Sequence, residues 1–185
     1  MNSAPTLKTP RLILRAHSID DFAESAAMWS NLDVVRYIGG RPFSATESWA
    51  RLLRYAGHWT LMGCGYWLLE DRQTGQFLGE VGLADHRRET QPSVLGQPEA
   101  GWVLAPHAQG RGFAREAIAC VLQWADTYLD STTTVCIIHV DHARSIQLAR
   151  TFGFGQQQLI SYMQEATLLM VRERGAQASR HSDVL

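Results

Sequence analysis

Glu99-Ala-Gly-Trp-Val-Leu-Ala-Pro-His-Ala-Gln-Gly-Arg-Gly-Phe-Ala-Arg-Glu-Ala117 is a strand, a glycine loop and the start of a helix in one run. Glu99 to Ala105 reads as the strand, and Pro106, with no N–H for a central ladder, ends it. Gln109 to Ala114 then offers consecutive backbone N–H groups with little side chain in the way. A helix from about Ala114 adds unsatisfied first-turn donors and a positive dipole end, so the loop suits a phosphate without a buried lysine. A dinucleotide fingerprint needs Gly or Ala three residues after the second glycine, where Arg115 stands. A nucleotide-triphosphate loop needs Gly-Lys-Ser/Thr, where Gly112-Phe113-Ala114 stands.

The chain of 185 residues, 45% hydrophobic and 19% charged, is long enough for one globular domain with a sizeable core. Seventeen basic against eighteen acidic residues leave a net charge of -1, so no global field attracts nucleic acid or anionic lipid. Cys64, Cys120 and Cys136 are odd in number, lack metal spacing and lie in apolar surroundings; they read as reduced core thiols, and no metal site is expected. Residues 1–9 have no signal-type apolar stretch, and no later run reaches a membrane span, so a cytoplasmic protein is expected.

Around the central stretch the chain alternates strands and helices. Arg11 to Arg15 reads as a first strand, and Ser18-Ile-Asp-Asp21 as the capped start of a helix running to about Ser30. Residues 33–38 suggest a further helical turn. Ser44-Ala-Thr-Glu47 caps a second long helix to Met62, with Ala45, Trp49, Leu52, Leu53, Ala56 and Trp59 on one face. Tyr66 to Glu70 and Gln76 to Ala84 form an antiparallel hairpin, and Asp85 to Pro98 is a loop. The helix after the glycine loop places Ala114, Ala117, Ile118, Val121, Ala125, Tyr128 and Leu129 on one side. Thr134 to Val140 is a covered strand, parallel to the Glu99 strand through a right-handed crossover. His142 to Phe152 is a helix closed by Gly153, Gln156 to Tyr162 and Thr167 to Val171 are short strands, and residues 173–185 read as a flexible tail.

Gln109-x-x-Gly112-x-Ala114 resembles the acetyl-coenzyme A loop of the GNAT acetyltransferase superfamily, Gln/Arg-x-x-Gly-x-Gly/Ala. Ser145-x-x-Leu148 followed by Gly153-Phe154 resembles the second motif of that family, in its expected place. Thr9-Pro-Arg-Leu-Ile-Leu-Arg15, Asp20-Asp21 and Thr74-Gly75-Gln-Phe-Leu-Gly79-Glu-Val-Gly-Leu83 resemble its ribosomal-protein N-acetyltransferase branch of the Rim type. The resemblance covers residues 7–172 and implies an α/β single domain: a twisted, mostly antiparallel sheet with a splayed parallel pair and helices on both faces.

The resemblance also implies the chemistry. Acetyl-CoA would be the cosubstrate, its thioester carbonyl on the backbone N–H of Val103 and its pantetheine arm along Leu104 and Ala105. Its pyrophosphate would lie on the N–H groups of Gln109, Gly110, Arg111, Gly112, Phe113 and Ala114; for Arg111 the side chain either adds charge or is an ordinary exposed arginine. Glu99 matches the strand carboxylate that serves as general base in the family's histone-acetylating branch; on an alternating strand it shares a face with Val103. Glu80 and Asp85 are rivals. The tyrosine that many relatives use to protonate the departing thiolate is Ala149 here, and Ser145 is the replacement expected from the Rim-type branch, with a local helix-start hydroxyl as its plainer role. His142 stands where the family has an asparagine, and would contact the cofactor arm. His139 reads as a core residue. Tyr37, Trp67 and Tyr162 could line an acceptor pocket, or be core.

The expected activity is transfer of acetyl to a primary amine, a protein N-terminus or a small molecule, by direct attack, since no Cys-His pair is placed for a covalent intermediate. The contrasting possibility is a catalytically weak acyl-CoA-binding sensor on the same fold. The C-terminal strands are a candidate surface for pairing of two copies.

Overall fold

The computed structural model describes residues 3–175, so residues 176–185 of the expected tail lie outside it. The elements in chain order are β1 (Leu7–Lys8), β2 (Leu12–Arg15), α1 (Phe22–Trp29), α2 (Leu32–Val35), α3 (Ala45–Met62), β3 (Tyr66–Asp71), β4 (Phe77–Ala84), β5 (Glu99–Leu104), α4 (Phe113–Tyr128), β6 (Thr133–His139), α5 (Ala143–Thr151), β7 (Gln156–Tyr162) and β8 (Glu165–Glu173). The described residues fall into two compact units: residues 3–84 with Ala100–Ala125, and Asp85–Glu99 with residues 126–175.

In the first unit the hydrogen-bonded strand order is β1-β2-β3-β4-β5, and the first three pairings are antiparallel. Local chemistry starts and stops its longest helix. The Ser44 hydroxyl accepts from the Glu47 N–H at 3.2 Å, the Glu47 carboxylate accepts from the Ser44 N–H at 2.8 Å, and Gly63 ends α3 in the left-handed region. Arg15 holds the buried Asp21 by two bonds of 2.8 and 2.9 Å, fastening β2 to the entry of α1. Trp59, Trp67 and Trp124 pack edge to face with centroids 4.6 to 5.4 Å apart. Each such burial contributes about 2–3 kcal/mol from area alone.

Two helix faces differ from expectation. The buried side of α3 is Ser48, Leu52, Tyr55 and Trp59, with Leu53 exposed and Trp49 at the margin. On α4 it is Phe113, Ala117, Ile118, Val121, Leu122, Trp124 and Ala125, with Tyr128 outside. On α3 Ser48 and Tyr55 join the expected Leu52 and Trp59, while on α4 Phe113, Leu122 and Trp124 join Ala117, Ile118, Val121 and Ala125, which are buried as expected. Trp67 is wholly buried and donates to the Pro5 carbonyl at 2.8 Å, so it belongs to the core and lines no pocket.

In the second unit Glu99, the first residue of β5, pairs in parallel with Val135 of β6. β8 then pairs antiparallel with β6 and β7 antiparallel with β8. Val94, Val135, Ile160 and Leu169 form its apolar centre. β8 runs two residues past Val171 to Glu173, and Arg174 N–H donates to the Thr132 carbonyl, so the ordered chain continues beyond the expected start of the tail. Arg172, buried, grips Asp126 through two bonds of 2.8 and 2.6 Å. Cys64 and Cys136 are buried, and Cys120 is half-buried.

Candidate active site

After β5 the chain turns through Pro106–Ala108, and the Gln109 side chain donates to the Leu104 carbonyl at 3.0 Å, closing the loop on its strand. Gly110 and Gly112 both sit in the left-handed region, at φ +73° and +80°, where glycine is the residue without steric penalty. Residues 109–112 are exposed. The first bond inside α4 runs from the Glu116 N–H to the Gly112 carbonyl at 3.2 Å. The N–H groups of Phe113, Ala114 and Arg115 precede it, in the first turn, where a helix leaves its donors without intrahelical partners. Loop and helix dipole therefore present donors and partial positive charge together, which fits a diphosphate.

The loop is braced from β2. The Arg11 guanidinium donates to Glu116 at 2.7 Å and to the Arg111 carbonyl at 2.9 Å, and lies 4.7 Å from the Phe113 ring centroid. Burial raises the Glu116 carboxyl, but the Thr9 hydroxyl and the Arg11 N–H groups outweigh it and hold the group below its ordinary value. A first-turn carboxylate already neutralised in this way does not repel an anion at the helix start. The Arg111 guanidinium also covers Phe113, at 4.8 Å, and the Phe113 side chain is buried, so this residue offers only its backbone. The sequence signal for the brace was Thr9-Pro-Arg11 together with an acidic residue in the first turn of α4.

β4 meets β5 where the loop begins. A Cβ on Gly79, at φ +147°, would stand 2.2 Å from the Val103 carbonyl oxygen and 2.8 Å from the Leu104 Cα. Ala105 N–H donates to the Leu78 carbonyl at 2.9 Å. On β5 itself a Cβ at Gly101 would strike the Tyr66 hydroxyl at 1.9 Å, and Tyr66 stacks on Tyr55 with centroids 4.6 Å apart.

The three carboxylates named as base candidates differ sharply in their surroundings. Glu80 is 0% exposed; its two oxygens accept from the Ser25 hydroxyl at 2.6 Å and the Trp29 indole at 2.9 Å, tying β4 to α1. The His17 Nε2 stands 3.7 Å away, too far for a hydrogen bond but within ion-pair range. Burial raises the Glu80 carboxyl, and His17, Ser25 and Trp29 overcome it, leaving the net shift downward. Asp85 accepts from the backbone of Arg87 at 2.9 Å and of Gly96 at 3.2 Å, and so shapes the loop after β4.

Glu99 is 6% exposed and faces Arg88. Its oxygens accept from Arg88 Nε at 2.6 Å and Nη2 at 2.8 Å, and Arg88 Nη1 donates to the Tyr162 hydroxyl at 2.6 Å. His86 Nε2 lies 4.0 Å from the same carboxylate. Burial lowers the Arg88 guanidinium, but the Glu99 carboxylate outweighs it and drives the group well above its ordinary value. Burial and the Glu99 charge push the Cys136 thiol up, so it stays protonated. Arg88 was not singled out from the sequence, where the run His86-Arg87-Arg88 passes for part of a polar connection.

His142 stands at the N-terminal boundary of α5, and its Nε2 lies 2.9 Å from the Ser145 hydroxyl. Burial, then the charges of Arg144 and His139, lower the His142 imidazole, which is neutral at pH 7. His139 is half-buried at the end of β6, not a core residue: its Nδ1 accepts from the Asp141 N–H at 3.1 Å, and Nε2 is 3.5 Å from Glu165. Its strand position was legible, but the open end of the strand was not. Tyr37 is half-buried beside Arg36. Among the described residues no helix is long and apolar enough to cross a membrane.

A glycine loop between a strand and a helix, in a mainly antiparallel sheet with one parallel pair, is the arrangement of an acetyltransferase-type fold. The family model for the acetyltransferase (GNAT) domain matches residues 11–155, and the chain belongs to this family. It is 24% identical over 162 residues to an uncharacterized N-acetyltransferase, p20, of Bacillus licheniformis, covering 87% of this chain and 88% of that protein. A putative GNAT-family acetyltransferase from Bordetella pertussis superposes with a TM-score of 0.82 at 32% identity, over 91% of this chain and 99% of the other. The fold is also that of the spermidine N-acetyltransferase from Vibrio cholerae in complex with CoA and spermine, with a TM-score of 0.68 at 20% identity over 90% and 97% of the two chains. The protein is thus an acetyl-CoA-dependent N-acetyltransferase acting on amines.

Proposed function

We propose that the protein transfers acetyl from acetyl-CoA to a primary amine by direct attack, as a cytoplasmic enzyme of the Rim-type branch. What carries this is the exposed loop with Gly110 and Gly112 in left-handed conformation at the head of α4. The N–H groups of residues 109–114 hold the pyrophosphate, and the backbone of Val103, Leu104 and Ala105 holds the arm and polarises the thioester carbonyl. Acetyl-CoA supplies the acetyl group as an activated thioester. Glu99 takes the proton that the amine must lose before it attacks. It is preferred to Glu80 because Glu80 is wholly enclosed, 0% exposed against 6% for Glu99, and to Asp85 because that side chain is spent on its own loop. Ser145, oriented by His142, donates to the departing thiolate.

One observation favours the acyl-CoA sensor instead: Arg88 already occupies both Glu99 oxygens. CoA release from acetyl-CoA, measured against amino acids, N-terminal peptides and polyamines, separates the two. Acceptor-dependent release supports the enzyme, and stabilisation by acetyl-CoA without release from any amine supports the sensor.

A further inference from the structure

Arg88 and Glu99 form a side-by-side pair of opposite charges in which neither side chain has used all its hydrogen-bonding capacity. A guanidinium has five N–H donors and a carboxylate about four lone-pair sites. Arg88 spends one N–H each from Nε and Nη2 on Glu99 and one from Nη1 on Tyr162. The other N–H on each terminal nitrogen has no acceptor among the described residues. The Arg88 side chain is 23% exposed, and it lies on the irregular segment between β4 and β5.

We propose that this pair reads a zwitterion: the acceptor is a small molecule carrying a carboxylate beside its amine, the amine on Glu99 and the carboxylate on the terminal nitrogens of Arg88. The inference rests on Glu99 being the base of the proposed function, and it narrows the amines to α-amino acids and molecules of the same pattern. A carboxylate meets the remaining Arg88 donors with opposite charge and two parallel bonds, which a single neutral carbonyl oxygen does not supply. A polyamine sets a second ammonium against the guanidinium, and a peptide N-terminus or an amino-acid amide offers a neutral carbonyl instead. The site therefore selects by repulsion as well as attraction. In the reaction Glu99 takes one proton from the ammonium and the amine nitrogen bonds to the acetyl carbon. The carbon–sulfur bond then breaks, its electron pair leaving on sulfur, and the thiolate, hydrogen-bonded by the Ser145 hydroxyl, takes the second nitrogen proton. Glu99 releases its proton to water.

The test is CoA release with L-alanine, L-methionine and L-phenylalanine, each as free acid and as carboxamide, with spermidine alongside. The free acids are expected to exceed their amides at least about tenfold in kcat/KM, chiefly through KM. Arg88→Gln should bring that ratio near one, whereas Tyr162→Phe, which leaves the ion pair intact, should keep it. Acetyl-CoA binding by calorimetry checks that each variant is folded, and the native panel decides even if Arg88→Gln is not. Equal use of amides or spermidine, or a preference that survives Arg88→Gln, overturns the inference and leaves the transferase activity standing. No release with any amine, with acetyl-CoA still bound, overturns both.

Discussion

Arg88 meets Glu99 along one edge of its guanidinium, through Nε at 2.6 Å and Nη2 at 2.8 Å, and so fixes the direction in which the carboxylate can still accept a proton. The proton must arrive on the lone pairs turned away from Arg88. For the base role proposed for Glu99 this is preorganisation, and an amine that comes from the wrong side is expected to find no acceptor.

Gly112 is expected to control cofactor affinity without touching chemistry. At φ +80° any side chain is strained, at a cost of about 1 kcal/mol, and a Cβ would come within 3.4 Å of Arg11 Nη2, the guanidinium that braces the loop. Gly112→Ala should weaken acetyl-CoA binding about five- to tenfold in calorimetry. An unchanged dissociation constant would remove the loop from the cofactor site.

Gly79 is expected to be a stability position. A Cβ 2.2 Å from the Val103 carbonyl oxygen forces β4 off β5. Gly79→Ala should cost about 2–3 kcal/mol and lower the melting temperature by about 4–12 °C. A melt within one degree of native, about 0.3 kcal/mol on the same scale, would mean that the two strands do not approach this closely.

Which parts were legible beforehand follows from the range of the forces involved. Ser44 with Glu47, Gly63, Pro106 and Gly153 act within a few residues, so the ends of α3 and β5 and the end of α5 could be read locally. The Gln109-to-Ala114 loop was readable for the same reason. Partners distant in sequence were not: nothing near Arg88 in the chain announces Tyr162, 74 residues on, and nothing near Glu80 announces Ser25 or Trp29. The faces of α3 and α4 show the same limit: periodicity finds Leu52, Trp59, Ala117, Ile118, Val121 and Ala125 but not that Tyr55 and Trp124 are buried beside them.

Acid should unfold the protein through carboxylates that its fold keeps ionised. Burial raises Asp21 and Glu80, but Arg15 and Ser18 hold the first, and His17, Ser25 and Trp29 the second, below their ordinary values. A folded-state value below the unfolded one stabilises fully above the unfolded range, about pH 4, and the gain disappears as pH falls through the folded values. Urea midpoints should therefore hold from pH 7 to about 5 and drop steeply below about 4. In Glu80→Gln the midpoint should be lower at pH 7 and the acid slope shallower. An acid slope identical to native would show that Glu80 contributes nothing to it.

Ser145→Ala distinguishes a reacting hydroxyl from a local one. If the hydroxyl donates to the departing thiolate, kcat should fall about tenfold while the KM for acetyl-CoA stays within about threefold, as expected for a contact made in the transition state. His142→Asn should lower kcat less, since it keeps a side chain able to orient Ser145. Native kcat in Ser145→Ala would leave the 2.9 Å contact with His142 as a helix-start interaction alone.

The most direct test is acceptor-dependent CoA release by the native protein and by Glu99→Gln at saturating acetyl-CoA. Native turnover is expected, falling by about a hundredfold or more in Glu99→Gln at unchanged acetyl-CoA affinity. Native-like turnover in Glu99→Gln would contradict the assignment of Glu99 as the base.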